Sequence, residues 1–349
     1  VVTPDQVVIT GAAGMLGAHL VRRLLDDGHH VTGIDLRPAV VPAHPELTHW
    51  EGDVRDAALM TRAMGGADVV IHCAAALPSY PQELIRSVIV DGTSTVLDAA
   101  SRAGIPRVVH ISSTAVYGLP KVVPTTEEHP REPVDTYTAA KAEAEEVAEK
   151  YRAGGMCVPI LRPKTFLGPG RMGLFAMLFE WAEEGHNFPV LGRGDVRIQM
   201  FAIEDLVDAV VAVLHAPDDV AGDTYNLAAT EFGTLRDDFQ AVLDAAGHGR
   251  RVVSVPARPA LAALRALERT RLSPVYGRLL HKLLADSFVS TDKARLRLDF
   301  RPKLSNQDAI LATYRWWQDN HDAMSLGSGG RTSREPWRQG ALSLAKRFF

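Results

Sequence analysis

Through its first half the chain alternates between two hydrophobic rhythms. Short apolar-rich runs, Val7–Ile9, Val31–Ile34, Val69–Ile71 and Arg107–Ser112, read as strands of a buried parallel sheet. Between them lie stretches with apolar residues at helical spacing: Ala18–Leu25, a helix beginning near Ala57, and Thr93–Ala103. Leu47–Trp50 adds a short strand, and Met156–Leu161 is expected as another. Thr136 opens an Ala/Glu helix that reaches about Arg152. Strand–helix alternation of this kind predicts an α/β fold, a doubly wound parallel sheet covered on both faces.

From Arg162 the pattern loosens. Gly168-Pro169-Gly170 breaks the chain, helices are expected over Leu174–Glu184, Ile203–His215 and Leu235–Ala246, and Tyr225–Ala228 reads as a strand. The Ala/Leu/Arg-rich stretch 256–284 predicts helices lying over a cleft. We therefore expect a dinucleotide-binding domain over 1–165, to which later segments return. A smaller, mostly helical substrate domain over 166–325 and a tail over 326–349, begun by Gly327-Ser328-Gly329-Gly330, complete the chain.

Composition narrows the class. With 46% apolar and 23% charged residues, 349 residues can bury a large core. A net charge of −4 and the lack of any basic run interleaved with aromatics argue against a nucleic-acid partner. The two cysteines, Cys73 and Cys157, stand far apart, which fits a reducing cytoplasm rather than a disulfide scaffold. No apolar run is long enough to span a membrane. The start is a strand approach rather than a signal peptide, and because it lacks Met, residues ahead of Val1 are expected. Neither the cysteines nor the thirteen histidines show ligand spacing, so no metal is expected.

The first candidate chemistry lies in Thr10-Gly11-Ala12-Ala13-Gly14-Met15-Leu16-Gly17, between the first strand and the first helix. Backbone N–H groups at a helix start, backed by the helix dipole, suit a pyrophosphate. Glycines are needed there because the turn demands unusual backbone angles and a side chain would block the phosphate. Asp35 ends the second strand about twenty residues on, where a ribose-binding carboxylate belongs. A carboxylate there repels a 2′-phosphate, which favours NAD over NADP, although the neighbouring Arg37 blurs that preference. Asp53 and Val54 follow the third strand at the adenine end, while Asp56 fits a helix N-cap better than Asp53. Cys73, Ala74, Ala75 and Ala76 end a strand in residues small enough for a cofactor to lie against backbone.

The second lies in Tyr137 and Lys141, at i and i+4 on one helix face. A free tyrosine titrates near pH ~10, but an ammonium one turn away stabilises its phenolate and makes it a usable base. Ser113, at a strand's carboxyl end, can hydrogen-bond the reacting oxygen. Together the three permit proton removal from an alcohol as hydride leaves for a nicotinamide.

These motifs resemble, in order, those of the extended short-chain dehydrogenases/reductases. The match runs through Thr10-Gly11-x-x-Gly14-x-x-Gly17, Asp35, Asp53-Val54, His72-x-Ala74-Ala75, Ser113-x-x-Val116-Tyr117-Gly118 and Tyr137-x-x-x-Lys141. It covers roughly Val7 to Trp317, and within that group it is similar to the NAD-dependent epimerase/dehydratase family. The resemblance implies a Rossmann NAD domain, the trio Ser113, Tyr137 and Lys141, and a homodimer built on helices near Thr93–Ala103 and Tyr137–Arg152. The cofactor set it implies is Gly11, Gly14, Met15, Leu16, Gly17, Asp35, Leu36, Arg37, Asp53, Val54, Cys73, Ala74, Ala75, Ile111, Tyr137, Lys141 and Pro163. The substrate set is Ala76, Ser113, Thr114, Thr165 and Arg197.

Two substrate classes follow. A nucleotide sugar is the leading expectation. Yet Thr165 stands where such enzymes usually place Asn, and Ile198-Gln199 replaces their Arg-Asp step, with Arg197 one position early. Arg162-Pro163 followed by Gly168-Pro169-Gly170 resembles 3β-hydroxysteroid dehydrogenase-type relatives, whose substrates are steroid-like, lipid or polyketide ketones. Lys164, Arg171, Arg193 or Arg197 could supply replacement charge. A non-catalytic NAD sensor is the remote alternative. In the tail, Trp337, Ala341, Leu344, Ala345 and Phe348 share one helical face, expected to dock on the protein, with peripheral membrane contact as the alternative.

Overall fold

A computed structural model describes residues 5–170, 175–259, 261, 284–324 and 346. The stretch expected as helices over the cleft, the tail apart from Lys346, and Arg171 lie almost wholly or wholly outside them.

The core of the molecule is a parallel sheet of seven strands in the order β3-β2-β1-β4-β5-β6-β10. These are β1 (Gln6–Thr10), β2 (His30–Asp35), β3 (Leu47–Glu51), β4 (Val69–His72), β5 (Arg107–Ile111), β6 (Ile160–Pro163) and β10 (Thr224–Leu227). Chain order reverses between β1 and β4, so the strand ends there open a crevice at a topological switch point. Strand β10 comes from the second half of the chain and pairs with β6, returning the chain to the first sheet.

Helices cover both faces. On one side α1 (Met15–Asp26) packs with α7 (Ile203–His215), through Leu20, Val21 and Leu24 against Leu206, Val210 and Val213. On the other lie α2 (Ala57–Ala63), α4 (Gly92–Arg102) and α5 (Thr136–Ala153), joined to the sheet by Val70, Val108, Leu97, Ala100 and Ala148. A separate core serves α6 (Phe175–Glu183), α9 (Leu235–Ala246) and α11 (Asn306–Met324). Phe179, Trp181, Phe239 and Tyr314 fill it, beside the small parallel pair β8 (Phe188–Leu191) and β11 (Val252–Val255).

Two boundaries differ from the sequence pattern. The strand expected over Met156–Leu161 begins at Ile160, because Pro159 has no N–H for the ladder; only its carbonyl takes part, accepting from His110 N. The helix expected to start at Thr93 runs on from α3 (Gln82–Arg86) through a π-turn at Ser87–Asp91. That wide turn carries Ile89, whose carbonyl accepts from the Thr93 hydroxyl at 2.6 Å.

Candidate active site

At the switch point, the glycine turn after β1 sits against the end of β4. Gly11 has φ +72°, and a Cβ there would meet Ala74 N at 2.8 Å. A Cβ on Gly17 would come within 2.1 Å of the Gly11 carbonyl. The turn is thus bare backbone closed on the start of α1. The residue that opens that helix, Gly14, brings no side chain of its own, and the first turn carries no acid. A helix start walled by glycine backbone fits a pyrophosphate.

The neighbouring residues brace this cradle. Asp35 Oδ2 accepts from Ala13 N at 3.0 Å and Oδ1 from Arg37 N at 3.1 Å. Arg37 folds back, donating through Nη2 to the Ala13 carbonyl at 2.9 Å, so its charge is already engaged beside Asp35. Leu36 is left largely exposed. Asp53 is held by Arg55 through Nε and Nη2, which keeps its carboxyl below the usual range, while Asp56 caps α2. Val54 is buried under Gly92.

Beneath the turn runs a buried polar row, Thr10, His72 and His110, side by side in the sheet register. The Thr93 hydroxyl donates to Ile89 O, so it accepts from His72 Nε2 at 3.0 Å. His72 Nδ1 therefore accepts from the Thr10 hydroxyl at 2.7 Å, which fixes the neutral Nε2–H tautomer. Burial pushes the His72 pKa down to about 3 and that of His110 well below its ordinary value. Burial raises the Cys73 thiol to about 12, so it is inert at neutral pH.

The Ser113, Tyr137 and Lys141 positions converge on the same rim. Ser113 follows β5 and its Oγ accepts from Ala115 N at 3.1 Å. Asp135 and Thr138 form a reciprocal cap that starts α5, placing half-buried Tyr137 in the first turn. Lys141, one turn further, is buried and donates from Nζ to Ile111 O at 2.9 Å. Burial lowers its pKa to about 8, against the opposing pull of Glu145. Pro163 ends β6 nearby, its carbonyl accepting from Thr114 Oγ1 at 3.4 Å.

The substrate positions scatter. Thr165 is exposed. Ala76 is buried in a cluster with Ile85, Ile89, Val90, Ala140 and Ala144, against which Tyr137 also packs. Arg197 lies with its guanidinium over the rings of Phe232 and Phe288, at 4.7 and 5.0 Å. Gln199 is consumed in the core, bonded to Ala229 O and Val289 N. Lys164 Nζ donates to Ser287 Oγ at 2.8 Å, and a cleft of about 450 Å³ opens there between Gly118–Val123 and Ala285–Ser287. Among the described residues, no group of His, Cys, Asp and Glu is placed to hold a metal ion, and no helix is long and apolar enough to cross a membrane.

The sequence reading missed a buried network behind the trio. Glu145, fully buried on α5, accepts from Ser112 Oγ and from Arg162 Nε and Nη2 at 2.5, 2.9 and 2.6 Å. Arg162 also reaches Tyr117 Oη, which donates to Asn226 Oδ1. The available signal was spacing: Tyr137, Lys141 and Glu145 fall at i, i+4 and i+8.

A switch-point cradle with a tyrosine–lysine helix on its rim defines a dinucleotide-dependent enzyme of the short-chain dehydrogenase/reductase type. The model of the NAD dependent epimerase/dehydratase family matches residues 7–228, and the chain belongs to that family. It is 35% identical to the uncharacterized protein y4nG of Sinorhizobium fredii, over 97% of this chain and 84% of that one. It is 30% identical to a Mycobacterium tuberculosis 3 beta-hydroxysteroid dehydrogenase/Delta 5-->4-isomerase, over 87% and 88%. A DesIV double mutant, a dTDP-glucose 4,6-dehydratase of Streptomyces venezuelae solved with NAD and DAU, superposes with TM-score 0.73 at 28% identity, covering 91% of this chain and 98% of that one.

Proposed function

We propose that this enzyme moves a hydride between NAD and a secondary alcohol or ketone, with Tyr137 as the acid–base group. The observation that carries the reading is the i, i+4 placement of Tyr137 and buried Lys141 beside the strand end that bears Ser113. Bound NAD supplies the hydride acceptor. Gly11, Gly14, Met15, Leu16 and Gly17 would hold its pyrophosphate, and Asp35 its adenine ribose, with Leu36, Arg37, Asp53 and Val54 around the adenine end. Cys73, Ala74, Ala75, Ile111 and Pro163 line the path toward the trio. Lys141 lowers the cost of the Tyr137 phenolate, and Ser113 hydrogen-bonds the reacting oxygen.

Of the two substrate classes, the hydrophobic alcohol or ketone fits this geometry better. Gln199 is bonded on both sides in the core, and the Arg197 guanidinium is stacked on two phenylalanines, so neither is set out for a diphosphate. The nucleotide-sugar class keeps the support of the family itself, whose model is that of epimerases and dehydratases. Turnover of NAD to NADH with hydroxysteroids and long-chain secondary alcohols supports the first class. Isomerised or dehydrated UDP- or dTDP-sugars without net NADH would replace it with the second. In either case Tyr137→Phe should leave NAD binding within a few-fold and reduce turnover by at least ~10²-fold; unchanged turnover removes Tyr137 from the chemistry.

The cofactor half comprises 1–165 with the returning segments, and 166–325 forms the substrate half. We place the enzyme in the cytoplasm as a homodimer through α4 and α5. Lys346 pairs with Glu180 of α6 and with Glu184 just past its end, which supports docking of the tail at that residue on its own chain.

A further inference from the structure

We propose that Glu145 is a positioning residue for the hydride-transfer site, tying the strand end that bears Ser113 to the helix that bears Tyr137 and Lys141. The proposal rests on the assignment of Lys141 as a cofactor-binding cation and goes on to name the group that keeps it in place.

Three observations carry it. Glu145 is one helical turn beyond Lys141, so both leave α5 on the face turned to the sheet. Its carboxylate takes Ser112 Oγ on one oxygen and Arg162 Nη2 on the other, with Arg162 Nε and Arg131 Nη1 completing the set. Ser112 is bonded to Ser113 in the chain, and Ser112 N donates to Leu161 O at 2.7 Å. A single carboxylate therefore spans β5, β6 and α5 at the depth where Lys141 Nζ meets Ile111 O.

Charge points the same way. Lys141 faces His72 on β4, His110 on β5 and Cys73 after β4, and on its own helix Tyr137 one turn before it and Glu145 one turn after. Both imidazoles are neutral and the thiol is protonated at neutral pH, for the reasons given above. Within that set Glu145 is the charged member, and its charge favours the ammonium. Glu145 in turn faces Arg162 from β6 and Arg131 from the loop before α5, and Arg131 is shared with Glu149.

The test measures NAD affinity of the purified full chain between pH 6 and 9.5, by calorimetry, with no turnover needed. In the wild type, affinity should fall as pH passes about 8, where Lys141 loses its proton. Lys141→Met should give a flat profile. Glu145→Gln should move the fall to lower pH by roughly one unit. Because Glu145→Gln leaves Arg162 buried without its carboxylate, the double variant Glu145→Gln/Arg162→Met is measured beside it; it removes both charges and should also shift to lower pH. A wild-type profile identical to that of Lys141→Met refutes the role of Lys141 itself. A wild-type step that stays at the same pH in Glu145→Gln and in the double variant, with affinity lowered equally at every pH, reduces Glu145 to a structural part and overturns the proposal.

Discussion

Lys141→Met should convert a pH-dependent cost into a constant one. The ordinary lysine value of 10.5 falls to about 8 in this buried position. At about 1.4 kcal/mol per pH unit, that difference is worth about 3 kcal/mol. The sign follows from proton counting. Below pH 8 both folded and unfolded chains carry the ammonium, and the folded state bears its whole burial cost. Between 8 and 10.5 the unfolded chain still binds a proton that the folded chain has released, so this group makes stability rise with pH. Cys73 and Tyr117 act oppositely, because burial raises both to about 12 and the folded chain keeps their protons longer. Subtracting wild type from variant cancels those two and isolates Lys141. The assay is urea unfolding of the NAD-free chain at pH 7, 8, 9 and 10. Methionine loses the bond to Ile111 O at every pH, worth ~1 kcal/mol. Against that fixed offset, the stability of Lys141→Met relative to wild type should decline by about 2–3 kcal/mol from pH 7 to 10. A difference that stays level across this range would mean that Lys141 is solvated, and the argument for a tuned Tyr137 would lose its base.

Three other outcomes are expected. Gly17→Ala puts a Cβ 2.1 Å from the Gly11 carbonyl and 2.8 Å from Ala12 Cα, both backbone, so NAD affinity should drop by at least ~10²-fold in calorimetry. Gly28→Ala is its control: φ is +87° but nothing lies within 4 Å, so thermal unfolding should report a loss of ~1 kcal/mol and NAD binding should be unchanged. Asp238, fully buried and with Oδ1 lacking a hydrogen-bond partner among the described residues, has its pKa raised by burial to about 6. Between its ordinary value of 3.8 and about 6 the folded state holds a proton that the unfolded state has lost, so stability falls as pH rises through that window. Asp238→Asn should flatten that limb in denaturant titrations from pH 4 to 7, raising stability at pH 7 by ~2–3 kcal/mol.

The parallel sheet was legible because its determinants are local. Strand, glycine turn and helix occupy one short run, and the β1–β4 switch point follows from the order in which strands and helices alternate. The Tyr137–Lys141 pair is likewise one turn of one helix. Illegible in advance was whatever depends on distant chain meeting in space. Tyr117 and Asn226 lie 109 positions apart, and Arg162 and Glu145 meet only because β6 runs beside β5 under α5. At Ala76 a run of small residues signals close approach without saying to what; its neighbours come from α3, the π-turn and α5, Tyr137 among them. The late start of β6 was readable in principle, since Pro159 cannot donate.

The second half of the chain is hard for the same reason. Lys164, Arg197, Phe232 and Ser287 come from separated segments, and the contacts that join them, Lys164 to Ser287 and Arg197 over Phe232 and Phe288, are not predicted by sequence spacing. Arg197 illustrates the consequence. Its N–H is held by Asp286 Oδ1, its carbonyl accepts from Ser287 N, and its guanidinium rests on two phenylalanine rings. A cation resting over a pair of adjacent aromatic rings is a stiff surface rather than a mobile phosphate clamp. If that surface serves shape, Arg197→Met, which keeps length and apolar contact, should leave turnover of a hydrophobic alcohol within a few-fold. If it serves charge, the same substitution should raise KM for an anionic substrate by at least ~10-fold while kcat holds. Steady-state kinetics on one hydrophobic and one nucleotide-linked substrate separates the two, and a large KM rise confined to the nucleotide would overturn the preference for an apolar ketone.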